Sequence, residues 1–149
     1  TNSTDVTISS SGGSGSGGVL LWGNLGATIA ANTNSYLQLG TSGGNSSSAW
    51  ARGVLSPQSL TLKNFYLYMG NSQPADGSLV CTIQTGTGNT SSGTDTTISI
   101  TIPASSTAQL FSDTTHSVTI PAGTWAAIHC VNNSASASGF INNYSLGHQ

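Results

Sequence analysis

The side chains that could carry acid–base or metal chemistry are few in this sequence and lie far apart. They are Asp5, Asp76, Asp95, Asp113, His116, His129 and His148. Catalysis by paired carboxylates needs two of them across one reacting bond, and a calcium cage needs several close in sequence. The aspartates here stand singly among Ser, Thr and Gly, which is typical of residues that cap turns. We therefore expect no catalytic residue, no metal ligand and no cofactor.

The three histidines could ligate a metal together, but the surroundings of His129 favour a surface or an interface. His129 stands between Ile128 and Cys130 in an apolar run. Successive residues of a strand point to opposite faces, so His129 points away from the face that its two neighbours share. In a symmetric oligomer one histidine from each copy can form a ring, so His129 is a position to check in any assembly.

Two cysteines, Cys81 and Cys130, allow a single intrachain disulfide. Each lies in an alternating apolar run, at 79–83 and at 126–131, and the period of two points both side chains inward. Cysteine also behaves as a small buried hydrophobic residue. We favour two free thiols in the core, and a disulfide is the alternative that the sequence leaves open.

Charge is the most unusual property of the composition. Of 149 residues, 4% are charged, where about 25% is usual, and Arg52 and Lys63 are the only cations besides histidine. Ser, Thr, Asn and Gly number 26, 20, 12 and 19. Two cations cannot neutralise a row of phosphates or form a polybasic membrane patch, and no apolar run approaches the ~20 residues of a membrane span. We expect neither a nucleic acid nor a membrane as partner.

The first 18 residues differ from the rest of the chain. A short alternating stretch lies within residues 1–10, and Gly and Ser alone fill residues 11–18, which is the composition of a flexible tether. The sequence thus predicts an N-terminal arm with a Gly/Ser tether, 1–18, before a domain at 19–149. We expect the arm to bind the surface of a partner or of a neighbouring copy. The residues concerned are Asp5, Val6, Thr7 and Ile8.

Short β-strand candidates bounded by turn residues follow the tether. They lie at 19–22, 27–31, 35–39, 48–54, 60–69, 79–85, 96–102, 117–120, 124–131 and 139–146. Their number and spacing predict an all-β protein, a jelly-roll-like antiparallel β-sandwich. Within 60–69 the apolar phase slips, which indicates a β-bulge near Lys63 and Asn64 or a strand buried on both faces. Only 107–115 could form a helical turn.

Aromatic residues raise a second possibility, because sugar rings stack on exposed aromatic faces. The chain has three Trp and four Tyr. Aromatic side chains on strands more often lie in the core or anchor a subunit interface. Trp50 and Tyr144 have the least core-like neighbours, so they are the candidates for sugar binding.

Five runs between residues 59 and 133 alternate strand and turn signals in a fixed order. They are Leu60-Thr61-Leu62-Lys63-Asn64-Phe65-Tyr66-Leu67, Gly77-Ser78-Leu79-Val80-Cys81-Thr82-Ile83-Gln84, residues 96–102, residues 113–123 and residues 125–130. This order resembles a sandwich found among tailed-phage structural proteins, which include capsid decoration proteins and some tail or fibre modules. Thr124 stands where such proteins often have Asp.

The resemblance implies a virion component that binds the assembled shell or tail as a homo-oligomer, with a trimer expected. We therefore expect a non-enzymatic structural protein at the virion surface, a capsid decoration protein whose partners are its own copies and the major capsid or another virion protein. The alternative is a sugar-binding module, either the head of a fibre or spike or a secreted lectin-like domain, with a glycan as its ligand.

Overall fold

Nine β-strands and one 3-10 turn make up the regular structure of the described residues. The computed structural model describes residues 21–40, 46, 47 and 49–148, without the side chains of 21–25 and 50. The elements are β1 (Leu21–Ile29), β2 (Thr33–Leu37), the 3-10 turn (Trp50–Arg52), β3 (Val54–Leu55), β4 (Leu60–Met69), β5 (Leu79–Gly86), β6 (Thr94–Ile102), β7 (Leu110–Ile120), β8 (Trp125–Asn132) and β9 (Gly139–His148). The predicted arm and tether, 1–18, lie outside the described residues.

The strands form two antiparallel sheets packed face to face. One sheet has the order β1-β9-β4-β7 and the other has the order β2-β8-β5-β6, with β3 also paired to β8. The chain passes between the two sheets repeatedly, so β1 lies beside β9 and β2 lies beside β8. This interleaved order of eight long strands is that of a jelly roll. The predicted all-β sandwich is confirmed.

The core lies between the sheets, and strand alternation decides which side chains enter it. On β6, Ile98, Ile100 and Ile102 are buried, whereas Thr97 and Thr101 between and beside them are exposed. β-branched residues suit such a pleated, half-buried surface. The apolar face of β6 therefore packs inward, and its hydroxyl face meets solvent.

The predicted bulge in β4 is confirmed. The register of β4 against both β7 and β9 shifts between Lys63 and Phe65. Asn64 between them has a φ of 54°, a left-handed conformation that Asn tolerates better than most residues. The extra residue lets Leu62 and Phe65 both enter the core although they are three positions apart.

Four predicted elements differ from the structure. Residues 21 and 22 of the candidate 19–22 and residues 27–29 of the candidate 27–31 belong to one strand, β1, whose register shifts between Asn24 and Ala27. Within the predicted strand 48–54, residues 50–52 form a 3-10 turn, and Val54 begins the short strand β3. The predicted helical turn at 107–115 is wrong, because β7 begins at Leu110. Its core-facing position is held by a polar residue, Asp113, so the apolar alternation of a strand is interrupted there.

The expected pair of free thiols is also wrong. Cys81 on β5 lies directly opposite Cys130 on β8, with 4.1 Å between their Cα atoms, and the two form a disulfide. Both side chains point inward and are fully buried, as the alternation predicted. Which residues face each other across two strands depends on register, and neither run contains that information.

A buried amide fastens one end of the sandwich. The Asn132 Nδ2 group donates to the carbonyls of Ile29 (3.0 Å) and Ala137 (3.1 Å). Its Oδ1 atom accepts from the side chain of Gln73 (3.2 Å) and from the N–H of Ser134 (3.1 Å). All four hydrogen-bonding capacities of the amide are used, so Asn132 ties β8 to the end of β1 and to two loops.

We expect Asn132→Ala to lower the free energy of unfolding by about 2 kcal/mol, because buried groups lose their partners. Urea denaturation followed by tryptophan fluorescence measures the change. Asn133→Ala is the matched control, since Asn133 is exposed and its amide makes one 3.3 Å bond to Ser78. Equal losses in the two variants would contradict the assignment of a fastening role to Asn132.

Candidate functional site

The outer faces of the two sheets differ, and loops cover the part of the outer face of the β2-β8-β5-β6 sheet that lies over β2 and β8. Tyr36, Trp125 and Ala127 form a buried cluster there together with Ala49 from the segment before the 3-10 turn. The N–H of Ala49 donates to the carbonyl of Ser91 at 2.9 Å, which joins the two covering loops. This part of the face is therefore a small second core, whereas outward residues of β6 such as Thr97 and Thr101 stay exposed.

The outer face of the β1-β9-β4-β7 sheet carries exposed aromatic and apolar side chains. Tyr66 and Tyr68 alternate with the buried Leu67 and Met69, so both point outward. Tyr68 is 40% exposed and Leu110, its neighbour in register on β7, is 58% exposed.

Polar residues of β9 complete this surface. Asn143 pairs with Tyr68 across the strands, and Ser145 pairs with Tyr66. Together they border a shallow hollow of about 140 Å³. We call this surface the tyrosine patch; it comprises Tyr66, Tyr68, Leu110, Asn143 and Ser145. An exposed apolar patch with a polar border is typical of an interaction site.

Tyr144 does not serve as the exposed sugar platform that the sequence predicted. Its side chain is only 3% exposed, and its hydroxyl donates to the backbone carbonyl of Gln38, the residue that follows β2. Burial raises the pKa of Tyr144 to about 12, although nearby Arg52 lowers it. The tyrosine is thus a core residue, and that prediction is wrong.

The side chains of the other predicted site residues, Trp50 and the four arm residues, are not among those that the structure describes. The backbone of Trp50 begins the 3-10 turn, but its side chain is not among those described. The arm residues fall outside the described residues altogether; they are Asp5, Val6, Thr7 and Ile8. The sugar-binding prediction for Trp50 and the partner-binding prediction for the arm stay predictions.

The buried carboxylate of Asp113 is held by a ring of donors. The N–H of Ser99 on β6 donates to Oδ2 at 3.0 Å, and the N–H groups of Thr115 and His116 donate to Oδ1 at 3.1 and 3.2 Å. Nδ1 of His116 lies 2.9 Å from Oδ2. Burial raises the pKa of Asp113, but these hydrogen bonds outweigh it and hold the pKa well below its ordinary value. Asp113 therefore joins β6 of one sheet to β7 of the other.

His129 lies on the outer face, as predicted, but it is partly covered. Its ring stacks on Tyr36 with 4.9 Å between ring centres. Nδ1 lies 3.0 Å from Oδ1 of Asp95, which also accepts from the side chain of Gln84 at 2.8 Å. Burial raises the pKa of Tyr36, with a smaller contribution from Asp95. These groups hold the second core together.

Asp76 caps a loop that is distant in sequence. Its carboxylate accepts from the hydroxyl of Ser134 at 2.6 Å and from the N–H groups of Ala135 and Ser136. Hydrogen bonds from Ser134 and Ser136 lower the pKa of Asp76. Asp76 does cap a turn, as predicted, but the turn that it caps is the connection between β8 and β9.

The described residues contain no group of three or more His, Cys, Asp or Glu side chains that could hold a metal ion. Within this part of the chain no helix has the length and apolar character needed to cross a membrane.

Comparison with protein-family models and with curated proteins finds no match. The class of this protein is defined by its own fold and surface. It is a jelly-roll β-sandwich with an internal disulfide, one sheet face partly covered by loops and the tyrosine patch on the opposite face.

Proposed function

We propose that this chain is a non-enzymatic structural protein of a virus particle, a capsid decoration protein that binds the assembled shell as a homo-oligomer, with a trimer as the expected state. The observation that carries the proposal is the tyrosine patch on the open sheet face. Tyrosine supplies large contact area at a low cost in side-chain entropy, and it is enriched where proteins meet. The patch is proposed as the contact between copies.

Two properties of the molecule support a place on the particle surface. Disulfides persist in oxidising surroundings such as the outside of cells and virions. With 4% charged residues, most polar side chains of the chain are hydroxyl and amide groups. Low net charge promotes association, which suits a protein whose role is to pack against its own copies and against a shell.

The double substitution Tyr68→Ser/Leu110→Ser tests the contact. We expect the wild type to sediment as an oligomer at tens of micromolar and the variant to sediment as a monomer with an unchanged circular dichroism spectrum. Loss of a central anchor residue costs about 2 kcal/mol or more, so the dissociation constant should rise at least about 30-fold. Analytical ultracentrifugation measures both masses.

The matched control is Leu55→Ser, which removes another exposed leucine from a position outside the patch. It should leave the oligomer intact. A wild-type chain that stays monomeric over this concentration range would overturn the proposal, and so would a double variant that still forms the oligomer.

A sugar-binding head or lectin-like module is the second candidate, because the same hollow combines two tyrosine rings with an amide and a hydroxyl. Asn143 and Ser145 can donate and accept hydrogen bonds beside Tyr66 and Tyr68. A monomeric wild type that binds a glycan array, with binding lost in Tyr68→Ala, would favour this candidate over the first.

A further inference from the structure

A second hollow, which we call the end pocket, opens between the two sheets at one end of the sandwich. It has a volume of about 190 Å³. Its apolar lining includes Leu39, Val54, Leu60, Leu62, Ile120 and Ala126. Leu55 also lines it and is 63% exposed, the highest value among the exposed large hydrophobic residues of the described chain. An apolar cavity of about 150 Å³ is already large enough to hold a benzene ring, so this one can accept a branched aliphatic side chain.

The undescribed N-terminal segment joins the sandwich at this same end. The first described residue, Leu21, pairs with Leu146 near the end of β9. β9 continues from there to His148, which lines the end pocket. Because β1 and β9 are antiparallel, the chain enters β1 at the end of the sandwich where the pocket opens.

The apolar side chains of the N-terminal segment suit the apolar lining of the end pocket. In residues 1–20 the apolar side chains are Val6, Ile8, Val19 and Leu20, and only Val6 and Ile8 are distant enough from β1 to fold back. Two residues apart in an extended chain, they lie on one face. The carboxylate of Asp5, the one charged residue of this segment, can accept a hydrogen bond from the ring of His148 in the pocket lining.

We propose that in the isolated chain the arm occupies the end pocket of its own polypeptide, with Ile8 inserted and Val6 packed over Leu55. Thirteen residue steps separate Ile8 from Leu21. They span at most about 45 Å when extended, and about 20 Å on average for a flexible Gly-rich chain. A tether of this length reaches the pocket and keeps the arm at a millimolar effective concentration beside it. This inference does not depend on the proposed oligomer.

Thiol cross-linking in the full chain tests the proposal. Val6→Cys is combined with Leu55→Cys and treated with a short bismaleimide, which leaves the buried native disulfide intact. In this sequence trypsin cuts after Arg52 and Lys63, so a cross-link joins the peptides 1–52 and 53–63. The comparison pair is Val6→Cys with Thr97→Cys, an exposed position on β6. We expect the pair at the pocket to react about ten-fold faster.

Two further variants separate docking from chance encounters between the two thiols. Adding Ile8→Ser to the pocket pair should lower its rate about ten-fold, whereas the matched control Thr7→Ser on the opposite face of the arm should leave it unchanged. Equal rates at Leu55→Cys and Thr97→Cys would overturn the proposal.

A mixture of ¹⁵N-labelled and unlabelled chains shows whose pocket is filled. Cross-links confined to one label support docking within one chain. Cross-links mainly between labelled and unlabelled peptides would overturn that assignment, because the arm would then fill the pocket of another copy.

Discussion

The double substitution Cys81→Ala/Cys130→Ala should lower the free energy of unfolding by about 4 kcal/mol. The disulfide closes a chain segment with a sequence separation of 49, and it thereby removes many conformations from the unfolded chain. It also joins the central strands β5 and β8 of one sheet, where both cysteines are fully buried. Guanidinium denaturation under non-reducing conditions measures the loss.

Reduced wild-type protein is the matched control for the double variant. It keeps both sulfur atoms in the core but loses the covalent link, so its stability should fall almost as far. Mass spectrometry after alkylation of the unfolded, unreduced chain should detect no free thiol. Two alkylated cysteines in that experiment would contradict the disulfide directly.

The elements that were predicted correctly are those with a local signal. In β4 both the strand and its bulge follow from the residues themselves, because the apolar phase changes between Leu62 and Phe65. The same reasoning misses the first part of β7, where buried Asp113 breaks the apolar alternation. A carboxylate enters that position because N–H groups of Ser99 on β6 and of Thr115 and His116 on β7 donate to it. Ser99 comes from a strand of the other sheet, so the local sequence around Asp113 does not show this donor.

The tyrosine patch depends partly on a local sequence pattern and partly on the packing of distant segments. The outward direction of Tyr66 and Tyr68 is readable, since they alternate with Leu67 and Met69 after the bulge. The sequence does not predict that loops leave this part of the sheet face exposed. That outcome depends on which sheet the loops around Ala49 and Ser91 cover.

Tyr144 could have been assigned to the core from local sequence. It stands two positions before Leu146, and both side chains are buried on the same face of β9. Its polar neighbours Asn143 and Ser145 suggest a surface position, but adjacent residues of a strand point to opposite faces of the sheet.

Replacing the buried carboxylate in Asp113→Asn should lower the free energy of unfolding by about 3 kcal/mol at neutral pH, because the ionised group accepts hydrogen bonds from both sheets. The carboxamide can accept through one atom only and presents N–H groups to donors. Chemical denaturation at pH 7 measures the loss. The matched control is Asp95→Asn, since the Asp95 side chain is 50% exposed and should contribute less.

The pH dependence of stability gives the stricter test of this carboxylate. The pKa of Asp113 is lower in the folded than in the unfolded chain, so its stabilisation is complete above the unfolded value of about 3.9. It is lost as the pH falls below that value towards the folded pKa, because the unfolded chain then binds the proton more readily. The exposed Asp76 has a lowered pKa as well and adds to the decline in the same range.

Subtracting the stability of Asp113→Asn from that of the wild type at each pH isolates the contribution of Asp113 from that of the other groups. The stability difference between wild type and Asp113→Asn should be largest above pH 5 and should shrink steadily between about pH 4 and pH 2. A difference that stays constant over this range would mean that the variant acts through altered packing and that the ionised carboxylate does not fasten β6 to β7.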